Sequence, residues 1–517
     1  MRPASLTDDL LDRLRARVVA AGDGATYTTT AVFSGGELAT LPESTDTDVH
    51  TAFERATRAQ RAWAATPLAQ RLAVFARFHE LLLRHREVVL DLIQAETGKA
   101  RRDAFEELCE PLLVTSYYLR KAPKLLRPRR RAGLLPGAIS AAEHRRPKGV
   151  VGIISPWNYP FTLALGDLIP ALIAGNAVIA MPDRQTALSP LYGVELLHRA
   201  GLPPDVLQVV LGDGPTVGGA VVDTCDYVGF TGSTRTGMLI AERAGRRLVG
   251  CSLELGGKNP MVVLDDANVD ATAKAAARAC FANAGQLCIS IERIYVHDSI
   301  FDSFADAFAA ETGRITLGTG FDYAAGMGSL TSQRALKTVA EHVDDARAKG
   351  ATVLTGGRPR PDLGPYFYEP TVLTDVTPEM LPHAAETFGP VVSLYPFASD
   401  DEGVALANQT DYGLNASVFG RDRARATRVA GRIRAGTVNV NDGYASAYGS
   451  IDAPMGGMGR SGLGRRHGAE GLLKYTEAQT IGTQRIAMLN PPGWVPYGLY
   501  TKVMAASLRL LRTLRIR

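Results

Sequence analysis

Cysteine is scarce in this sequence, and neither cysteine nor histidine forms a recognisable metal-binding cluster. The five cysteines are odd in number and include no C-x-x-C pair, which argues against a disulfide framework or a thiolate metal site. The nine histidines form no H-x-H or H-E-x-x-H cluster. These absences predict no bound metal and a reducing, cytoplasmic location. The cysteines are Cys109, Cys225, Cys251, Cys280 and Cys288.

Long apolar runs and an excess of either charge are also lacking. No run of 18 apolar residues occurs, so the sequence predicts no membrane-spanning helix. The N-terminal stretch from Met1 to Ala20 carries Asp8, Asp9 and Asp12 among its leucines, which argues against a signal peptide. The 57 Lys and Arg are balanced by 53 Asp and Glu, for a net charge of +4. Nucleic acid is therefore not an expected partner.

The length and the hydrophobic pattern indicate an α/β protein of more than one domain. A chain of 517 residues is too long for one core. Helices are predicted over 67–95 and 99–120, and from Gly149 onward short apolar runs alternate with helical segments, as in βαβ units with a parallel sheet. Such a sheet binds ligands at the carboxyl ends of its strands. The predicted strands are Val150–Ser155, Ala177–Met181, Val206–Leu211, Tyr227–Thr231 and Leu248–Leu253.

Unusual residues follow two of these strands. Ser155-Pro156-Trp157-Asn158-Tyr159-Pro160 comes after the first, and a G-x-x-x-x-G segment from Gly232 to Gly237 comes after the fourth. The second segment opens a helix predicted over Thr236–Ala244, whose free N–H groups could accept a phosphate. It is not the G-x-G-x-x-G of a Rossmann fingerprint, and tight packing alone would explain its glycines equally well.

The fifth strand ends in a carboxylate, Glu254, before Gly256 and Gly257. A carboxylate at the end of an apolar strand is a candidate general base with a pKa raised by its surroundings. The alternative is a structural ion pair between Glu254 and Lys258.

The polar turn around Cys288 has the features of a reactive thiol site. A helix is predicted over Asp270–Cys280, and Asn283, Gly285 and Gln286 then form a turn before Cys288. Backbone N–H groups aimed at the sulfur would favour the thiolate, which is the nucleophilic form. The alternative is a small buried hydrophobe, as most free cysteines are.

Taken together, these segments resemble the aldehyde dehydrogenase superfamily, over about residues 25 to 488. The resemblance implies that Cys288 is the nucleophile, Glu254 the base and Asn158 an oxyanion donor. It also implies a set of residues around a dinucleotide cofactor, with Glu386 on the nicotinamide ribose. The motifs that carry the resemblance are Ser155–Pro160, Phe230–Gly237, Leu253–Gly257, Phe281–Cys288 and Glu386–Pro390. The implied cofactor residues are Ile154, Pro156, Trp157, Met181, Arg184, Gly232, Ser233, Gly237, Leu255, Glu386 and Phe388.

The resemblance also implies the domain organisation. We expect an aldehyde dehydrogenase-like α/β fold with a Rossmann-type cofactor domain, an α/β catalytic domain and an oligomerisation arm that forms a homodimer or homotetramer. The expected ranges are 1–125 and 149–257 for the cofactor domain, 258–465 for the catalytic domain, 126–148 and 478–490 for oligomerisation, and 491–517 for a basic tail.

The expected substrate is a small aldehyde, oxidised to a carboxylate. The chain resembles most a branch of succinate-semialdehyde dehydrogenases, through Leu287–Arg293 and Gly464–Gly468. Positions that carry substrate-binding arginines in other members of that activity are Gly166 and Ala282 here. Because a buried carboxylate needs a cationic partner, another arginine must replace them, or the substrate differs. The candidates are Arg293, Arg465 and Arg466.

Two alternatives remain open. The chain could oxidise longer apolar aldehydes at a membrane surface, or it could be a non-catalytic, cofactor-binding structural protein on the same fold. The joint presence of Cys288, Glu254 and Asn158 argues against the second alternative.

The segment after the second strand bears on the choice of cofactor. Family members usually carry Lys-Pro with a Glu two residues later, and this chain has Met181-Pro182-Asp183-Arg184. An arginine at that position would attract a 2′-phosphate, whereas a glutamate would repel it. The prediction is therefore NADP in preference to NAD.

The C-terminal tail is basic and amphipathic. No Asp or Glu occurs from Ala478 to Arg517, and leucines alternate there with Lys and Arg. Such a helix can lie on an anionic bilayer. The alternative, which we favour from the sequence alone, is packing on a neighbouring subunit.

Overall fold

The computed structural model describes residues 3–22, 24–133, 139–485, 491 and 493–515. The N-terminal half of the described chain builds a helical lead-in and then alternating strands and helices. Its elements are α1 (Asp8–Arg15), β1 (Thr26–Ala31), β2 (Gly36–Pro42), α2 (Asp46–Ala65), α3 (Leu68–Arg84), α4 (Arg86–Thr97), α5 (Arg101–Leu126), β3 (Arg129–Arg131), β4 (Ile139–Pro147), β5 (Val150–Ser155), α6 (Pro160–Ile173), β6 (Ala177–Pro182), α7 (Leu188–Arg199), β7 (Leu207–Val209), α8 (Gly219–Thr224), β8 (Tyr227–Thr231), α9 (Thr234–Arg246) and β9 (Gly250–Glu254).

The predicted parallel sheet is present in this half. Strands β9, β8, β5, β6 and β7 lie side by side in that order, and all four pairings are parallel. The predicted start of the fifth strand at Leu248 is wrong, because Leu248 has φ 57° and is almost fully exposed in a turn. The third strand is shorter than predicted, since Pro204–Val206 form a 3₁₀ turn before it.

The single helix predicted over 67–95 is two helices. α3 ends at Arg84 and α4 begins at Arg86, because His85 has non-helical angles of φ −100° and ψ 15°. The His85 ring is in hydrogen-bonding contact with Tyr192 and Arg199 of α7. His85 at the break thus contacts a helix about a hundred residues further along the chain, and the local sequence does not indicate this contact.

The second half builds a separate sheet with its own apolar core. Its seven strands run in the order β12-β13-β14-β11-β10-β15-β16, parallel apart from the edge strand β12. The elements are β10 (Asn259–Val263), α10 (Val269–Phe281), β11 (Ile291–His297), α11 (Phe301–Gly313), α12 (Gln333–Ala348), β12 (Thr352–Thr355), β13 (Thr371–Thr374), α13 (Leu381–Ala384), β14 (Val391–Phe397), α14 (Asp400–Ala407), β15 (Asn415–Phe419), α15 (Arg423–Ala430) and β16 (Thr437–Val440).

The chain then returns to the first half and leaves it again. β17 pairs antiparallel with β9, which places Gly462–Leu463 in the first sheet, slightly ahead of the domain boundary expected at 465. β18 pairs with β4, and β4 with β3, in a three-stranded antiparallel sheet. This sheet falls largely in the predicted oligomerisation segments, while the assembly itself stays a prediction. The elements are α16 (Ala445–Tyr448), β17 (Gly462–Leu463), α17 (Gly468–Leu473), β18 (Thr476–Gln484) and α18 (Tyr497–Thr513).

Candidate active site

Two cavities meet at the carboxyl end of the first sheet. Residues Asn158, Thr231, Glu254 and Cys288 line both of them. Beyond these shared residues, one cavity is largely apolar and the other contains most of the residues expected around a cofactor. A molecule in each cavity would therefore face the same thiol and the same carboxylate. The apolar cavity is also lined by Glu106, Glu107, Tyr159, Thr162, Leu163, Leu287, Ile289, Tyr444, Tyr448, Met455 and Arg466.

Hydrogen bonds hold the backbone of the Cys288 turn. The predicted helix before it is present as α10, and Ser290 Oγ donates to the carbonyl oxygens of Ala279 and Cys280 at its end. Asn259 Nδ2 donates to the Cys288 carbonyl oxygen at 2.8 Å. The two Ser290 bonds satisfy C-terminal carbonyls of the helix. The Asn259 bond fixes the Cys288 backbone, and the Cys288 thiol lines the shared site.

The turn itself has an uncommon backbone. Asn283, Ala284 and Gly285 lie consecutively in the left-handed region, with φ of 50°, 55° and 72°. A Cβ on Gly285 would lie 2.1 Å from the carbonyl oxygen of Gly389. Only glycine permits this approach, and the approach brings the Cys288 turn against the loop that carries Glu386.

The expectation that this turn lowers the pKa of Cys288 is wrong for the protein in this state. Burial and, to a smaller extent, the Glu254 carboxylate raise the pKa of the Cys288 thiol to about 12. The Arg466 charge and the Cys288 backbone N–H act in the opposite direction with smaller effect. The thiol is therefore protonated at neutral pH, and a neighbouring base must accept its proton before it can attack a carbon.

Glu254 is the candidate for this base. It ends β9, and its side chain is 6% exposed. Burial raises its pKa to about 7, although Arg466 and Lys474 lower it. Its Oε1 is buried and has no hydrogen-bond partner among the described residues. The structural alternative is wrong, because Lys258 Nζ binds Glu292 Oε2 at 2.5 Å instead.

Asn158 is fixed by a buried network. Its backbone carbonyl oxygen accepts from Lys99 Nζ at 2.8 Å and from Asn283 Nδ2 at 3.0 Å. Its own Nδ2 donates to the Gln286 carbonyl oxygen at 3.0 Å. Lys99 is in turn paired with Glu107, which also accepts from backbone N–H groups at the start of α6. One N–H of the Asn158 amide thus positions the side chain, and an amide nitrogen has a second N–H to donate.

Most of the expected cofactor residues line the second cavity. Ser233 caps α9, since its Oγ accepts from Thr236 N at 3.3 Å, so the helix begins at Thr234, two residues earlier than predicted. A helix N-terminus at a cavity wall fits a phosphate-bearing ligand. Glu386 Oε1 accepts from Gly257 N at 2.9 Å, and burial raises the pKa of Glu386 to about 7. The expected residues found in the lining are Pro156, Trp157, Gly232, Ser233, Leu255, Glu386 and Phe388.

The other four expected cofactor residues lie outside this lining, and three of them are within strands or a helix. Ile154 is within β5, and Met181 is buried near the end of β6. Gly237 lies in α9, where a Cβ would come 2.5 Å from Leu255 Cδ2, so this glycine allows the helix to approach the sheet.

Arg184 lies beside the same sheet edge. Its guanidinium stacks 4.4 Å from the Tyr27 ring centroid and lies 3.4 Å from Glu43 Oε1. Its side chain keeps 40% of its surface exposed. The charge is held in place by an aromatic ring and remains open to a ligand.

The arginines considered for a substrate carboxylate differ sharply in their positions. Arg293 is wrong for this role, because it is buried and donates to the carbonyl oxygens of Lys258, Leu406 and Ala407. Arg465 donates to Gly457 and Gly464 carbonyl oxygens. Arg466 lines the apolar cavity. It is paired with Asp167, and its buried Nε has no partner in the described part of the chain.

Thr231 and Arg334 were not singled out from the sequence. Thr231 is the last residue of β8 and pairs in register with Glu254. Its position at the end of a predicted strand is the sequence feature that indicates a place in the site. Arg334 lines the second cavity, where most of the expected cofactor residues lie, and also a further cavity whose lining includes Asp183 and Gln185. Nothing in the local sequence around Arg334 indicates this.

Within the described ranges there is no group of three or more His, Cys, Asp or Glu side chains placed to hold a metal ion. Over those ranges, too, no helix combines the length and apolar character needed to cross a membrane.

The fold and this site are those of a known enzyme class. The model of the Aldehyde dehydrogenase family matches residues 19–481, and the chain belongs to that family. Among solved structures, the chain is similar to an NADP dependent enzyme from E. coli, with TM-score 0.86 and 31% identity over 90% of this chain and 96% of that one. A betaine aldehyde dehydrogenase from Staphylococcus aureus in complex with NAD+ gives TM-score 0.87 and 30% identity, covering 94% and 98%.

Relatives matched by sequence show higher identity to this chain. A protein of Mycolicibacterium smegmatis named "Putative succinate-semialdehyde dehydrogenase [NADP(+)]" is 54% identical over 483 residues, 93% of each chain. A Mycobacterium tuberculosis protein with the same name and the number 2 is 54% identical over 98% of each chain. A 3-sulfolactaldehyde dehydrogenase of Pseudomonas putida is 35% identical over 90% of this chain and 94% of that one.

Proposed function

We propose that this aldehyde dehydrogenase oxidises a short aldehyde that bears an anionic group, with succinate semialdehyde as the first candidate and NADP as the preferred cofactor. The observation that supports catalysis is the junction of two cavities at Cys288, Glu254 and Asn158. A non-catalytic protein would have no need of an unpaired buried carboxylate beside a thiol, because burying one without a partner costs stability.

The residues divide the chemistry between them. Glu254 accepts the thiol proton of Cys288, and the sulfur then attacks the aldehyde carbon to form a thiohemiacetal. The second N–H of the Asn158 amide stabilises the oxyanion, and losing one such donor typically costs roughly 10²–10³ in turnover. The nicotinamide of a cofactor held by Ser233, Glu386 and the other residues of the second cavity would supply the hydride acceptor that turns the thiohemiacetal into a thioester. Glu254 releases the first proton to solvent and then takes a proton from water, whose oxygen attacks the thioester carbon. The C–S bond breaks, Glu254 returns its proton to the Cys288 sulfur, and the acid product leaves as the carboxylate after losing its own proton to solvent.

The relatives' names and the charge of Arg466 support an anionic substrate. Succinate semialdehyde carries a carboxylate and 3-sulfolactaldehyde a sulfonate, and both names occur among the relatives. Among the described residues, Arg466 is the cation that lines the apolar cavity, and its Nε has no hydrogen-bond partner there. A second candidate is a longer apolar aldehyde, which Leu163, Ile289 and Met455 in the same lining favour.

Paired substrates test the choice between these candidates. We expect kcat/KM for succinate semialdehyde to exceed that for its methyl ester by more than about tenfold, the effect of one charge-assisted hydrogen bond. NADPH formation at 340 nm measures both rates. A higher kcat/KM for the methyl ester, or for a ten-carbon aldehyde, would reject the anionic substrate in favour of the apolar one.

Arg184 supports the preference for NADP, which also occurs in the relatives' names. We expect Arg184→Glu to shift the ratio of kcat/KM values towards NAD by about tenfold to a hundredfold, since a cation that attracts the 2′-phosphate becomes an anion that repels it. The matched control is Arg428→Glu, the same charge change at an exposed position of α15. Equal shifts in both variants, or a wild-type enzyme that uses NAD better, would contradict the assignment.

A further inference from the structure

Helix α18 carries a set of mostly exposed apolar side chains. None of its described residues from Tyr497 to Thr513 is buried, although several of them are apolar. Trp494, three residues ahead of the helix, is 84% exposed. Tyr500, Met504, Ser507 and Leu511 are half-buried, and the other residues of the helix are exposed. A contiguous set of exposed large apolar side chains marks an interaction surface.

The apolar and basic residues of α18 occupy different sides of the helix. Leu499, Val503, Leu510 and Leu514 are spaced so that they share one side, and each is more than half exposed. Lys502, Arg509 and Arg512 share the opposite side by the same spacing. The helix is thus amphipathic, with an apolar side and a cationic side, and the residues named here are exposed on both.

The charge pattern indicates which kind of surface covers it. No Asp or Glu occurs between Ala478 and Arg517, so the cations of the tail have no acidic partner within it. Two copies of α18 packed against each other would bring these like charges together. An anionic bilayer instead presents negative headgroups to the cations and hydrocarbon to the leucines, and this complementarity is typical of helices that lie in the membrane interface.

We propose that α18 is a membrane-surface anchor that binds anionic lipid bilayers. The helix lies in the plane of the interface, with the Leu499 side in the acyl boundary and the Lys502 side among the headgroups. Trp494 enters the headgroup layer beside it, where indole rings are favoured. This binding is independent of the aldehyde substrate, and failure of either proposal leaves the other standing.

Vesicle sedimentation of the whole protein tests the proposal. We expect the protein to sediment with phosphatidylcholine vesicles that contain phosphatidylglycerol, to remain in the supernatant with phosphatidylcholine alone, and to dissociate as salt is raised. The fluorescence of Trp494 should shift to the blue on binding, and a Trp494→Phe variant should lose this shift. A protein ending at Pro491 should keep its aldehyde oxidation and lose sedimentation.

Two double variants with the same charge change separate membrane insertion from simple charge attraction. Val503→Asp with Leu510→Asp places two charges on the apolar side and should abolish sedimentation. Ala505→Asp with Thr513→Asp places them on the basic side and should weaken it only as far as lost charge does. Arg509→Gln with Arg512→Gln should lower partitioning about 25-fold, or about fivefold for each charge.

Other outcomes would overturn the proposal. Equal loss in the two aspartate double variants would show that the apolar side does not enter the bilayer. No sedimentation with any vesicle, together with a smaller particle after truncation at Pro491, would show that α18 instead packs on a second copy of this chain.

Discussion

Two buried glutamates of this protein differ in how the fold treats their charge. Glu254 and Glu292 are 6% and 4% exposed. Glu292 is fully engaged: it accepts from Lys258 Nζ and from the N–H groups of Thr387 and Phe388, each at 2.9 Å or less. Glu254 has one oxygen with no partner in the described chain and a pKa of about 7.

The difference in bonding indicates a structural role for Glu292 and a chemical role for Glu254. Glu292 ties Lys258 to the loop that follows Glu386 and so holds the cofactor-side wall in place. Glu254 is left without a compensating cation in contact, which costs stability but keeps it able to accept a proton near neutral pH. A group whose burial is uncompensated is where a function is expected, and a group whose bonds are complete is expected to be structural.

The largest expected effect comes from removing the thiol that Glu254 serves. Cys288→Ala should lower aldehyde oxidation by more than about 10⁴-fold, because no other group can form the thioester. Cofactor binding, measured by calorimetry, should change little. The matched control is Cys109→Ala on α5, outside the lining of both cavities. A Cys288→Ala enzyme with measurable steady-state turnover would refute the role of Cys288.

Removing the charge of Glu292, whose hydrogen bonds and ion pair are complete, should destabilise the fold. Glu292→Gln leaves Lys258 buried without its carboxylate, and removing one partner of a buried ion pair costs about 3–5 kcal/mol. Urea unfolding measures this loss. A free energy of unfolding within about 1 kcal/mol of wild type, a typical effect of an ordinary substitution, would contradict the structural role.

The same substitution at Glu254 should act with the opposite sign. Its raised pKa of about 7 means that the folded state holds a proton that the unfolded chain releases from pH 4.5 upward. The penalty grows as pH rises from 4.5 to 7 and then stays constant. Glu254→Gln should therefore stabilise the fold by up to about 3 kcal/mol at pH 8 and by almost nothing at pH 4.

The Glu254→Gln enzyme also has a kinetic signature. It should turn over slowly, by a factor of about 10²–10⁴ for a lost general base. The Glu254 charge is one of the causes that raise the pKa of Cys288, so its removal lets solvent accept the thiol proton. Acyl-enzyme should then still form, more slowly than in wild type, and give a burst of about one equivalent of reduced cofactor before hydrolysis stalls. Destabilisation at pH 8 together with normal turnover would show that Glu254 is a structural residue like Glu292.

The smallest effect expected is the pH dependence of the unaltered enzyme. Because Glu254 acts as a base only when ionised, kcat/KM should fall about tenfold for each pH unit below its pKa of about 7 and level off above it. The profile is measured by initial rates at subsaturating aldehyde. A flat profile between pH 5.5 and 8 would contradict a base with this pKa.

The sequence by itself determined where the candidate site lies. Asn158, Glu254 and the Gly232 segment follow predicted strands, and parallel strands end at one edge of a sheet, so their convergence follows from the order of strands and helices. The thiol turn was predictable as well, because asparagine and glycine end a helix through their own local backbone preferences. Alternation of apolar runs likewise predicted β5 and β8 at their observed bounds.

Only the tertiary structure decided how the charges are paired and what they cost. Lys258 binds Glu292 rather than Glu254, and Arg293 is taken up by backbone carbonyl oxygens rather than by a substrate. The pKa of Cys288 is raised where the local turn indicated that it should fall. Ion pairing and desolvation depend on which side chains surround a group in space, and those neighbours come from distant parts of the chain, so no local pattern of residues contains them.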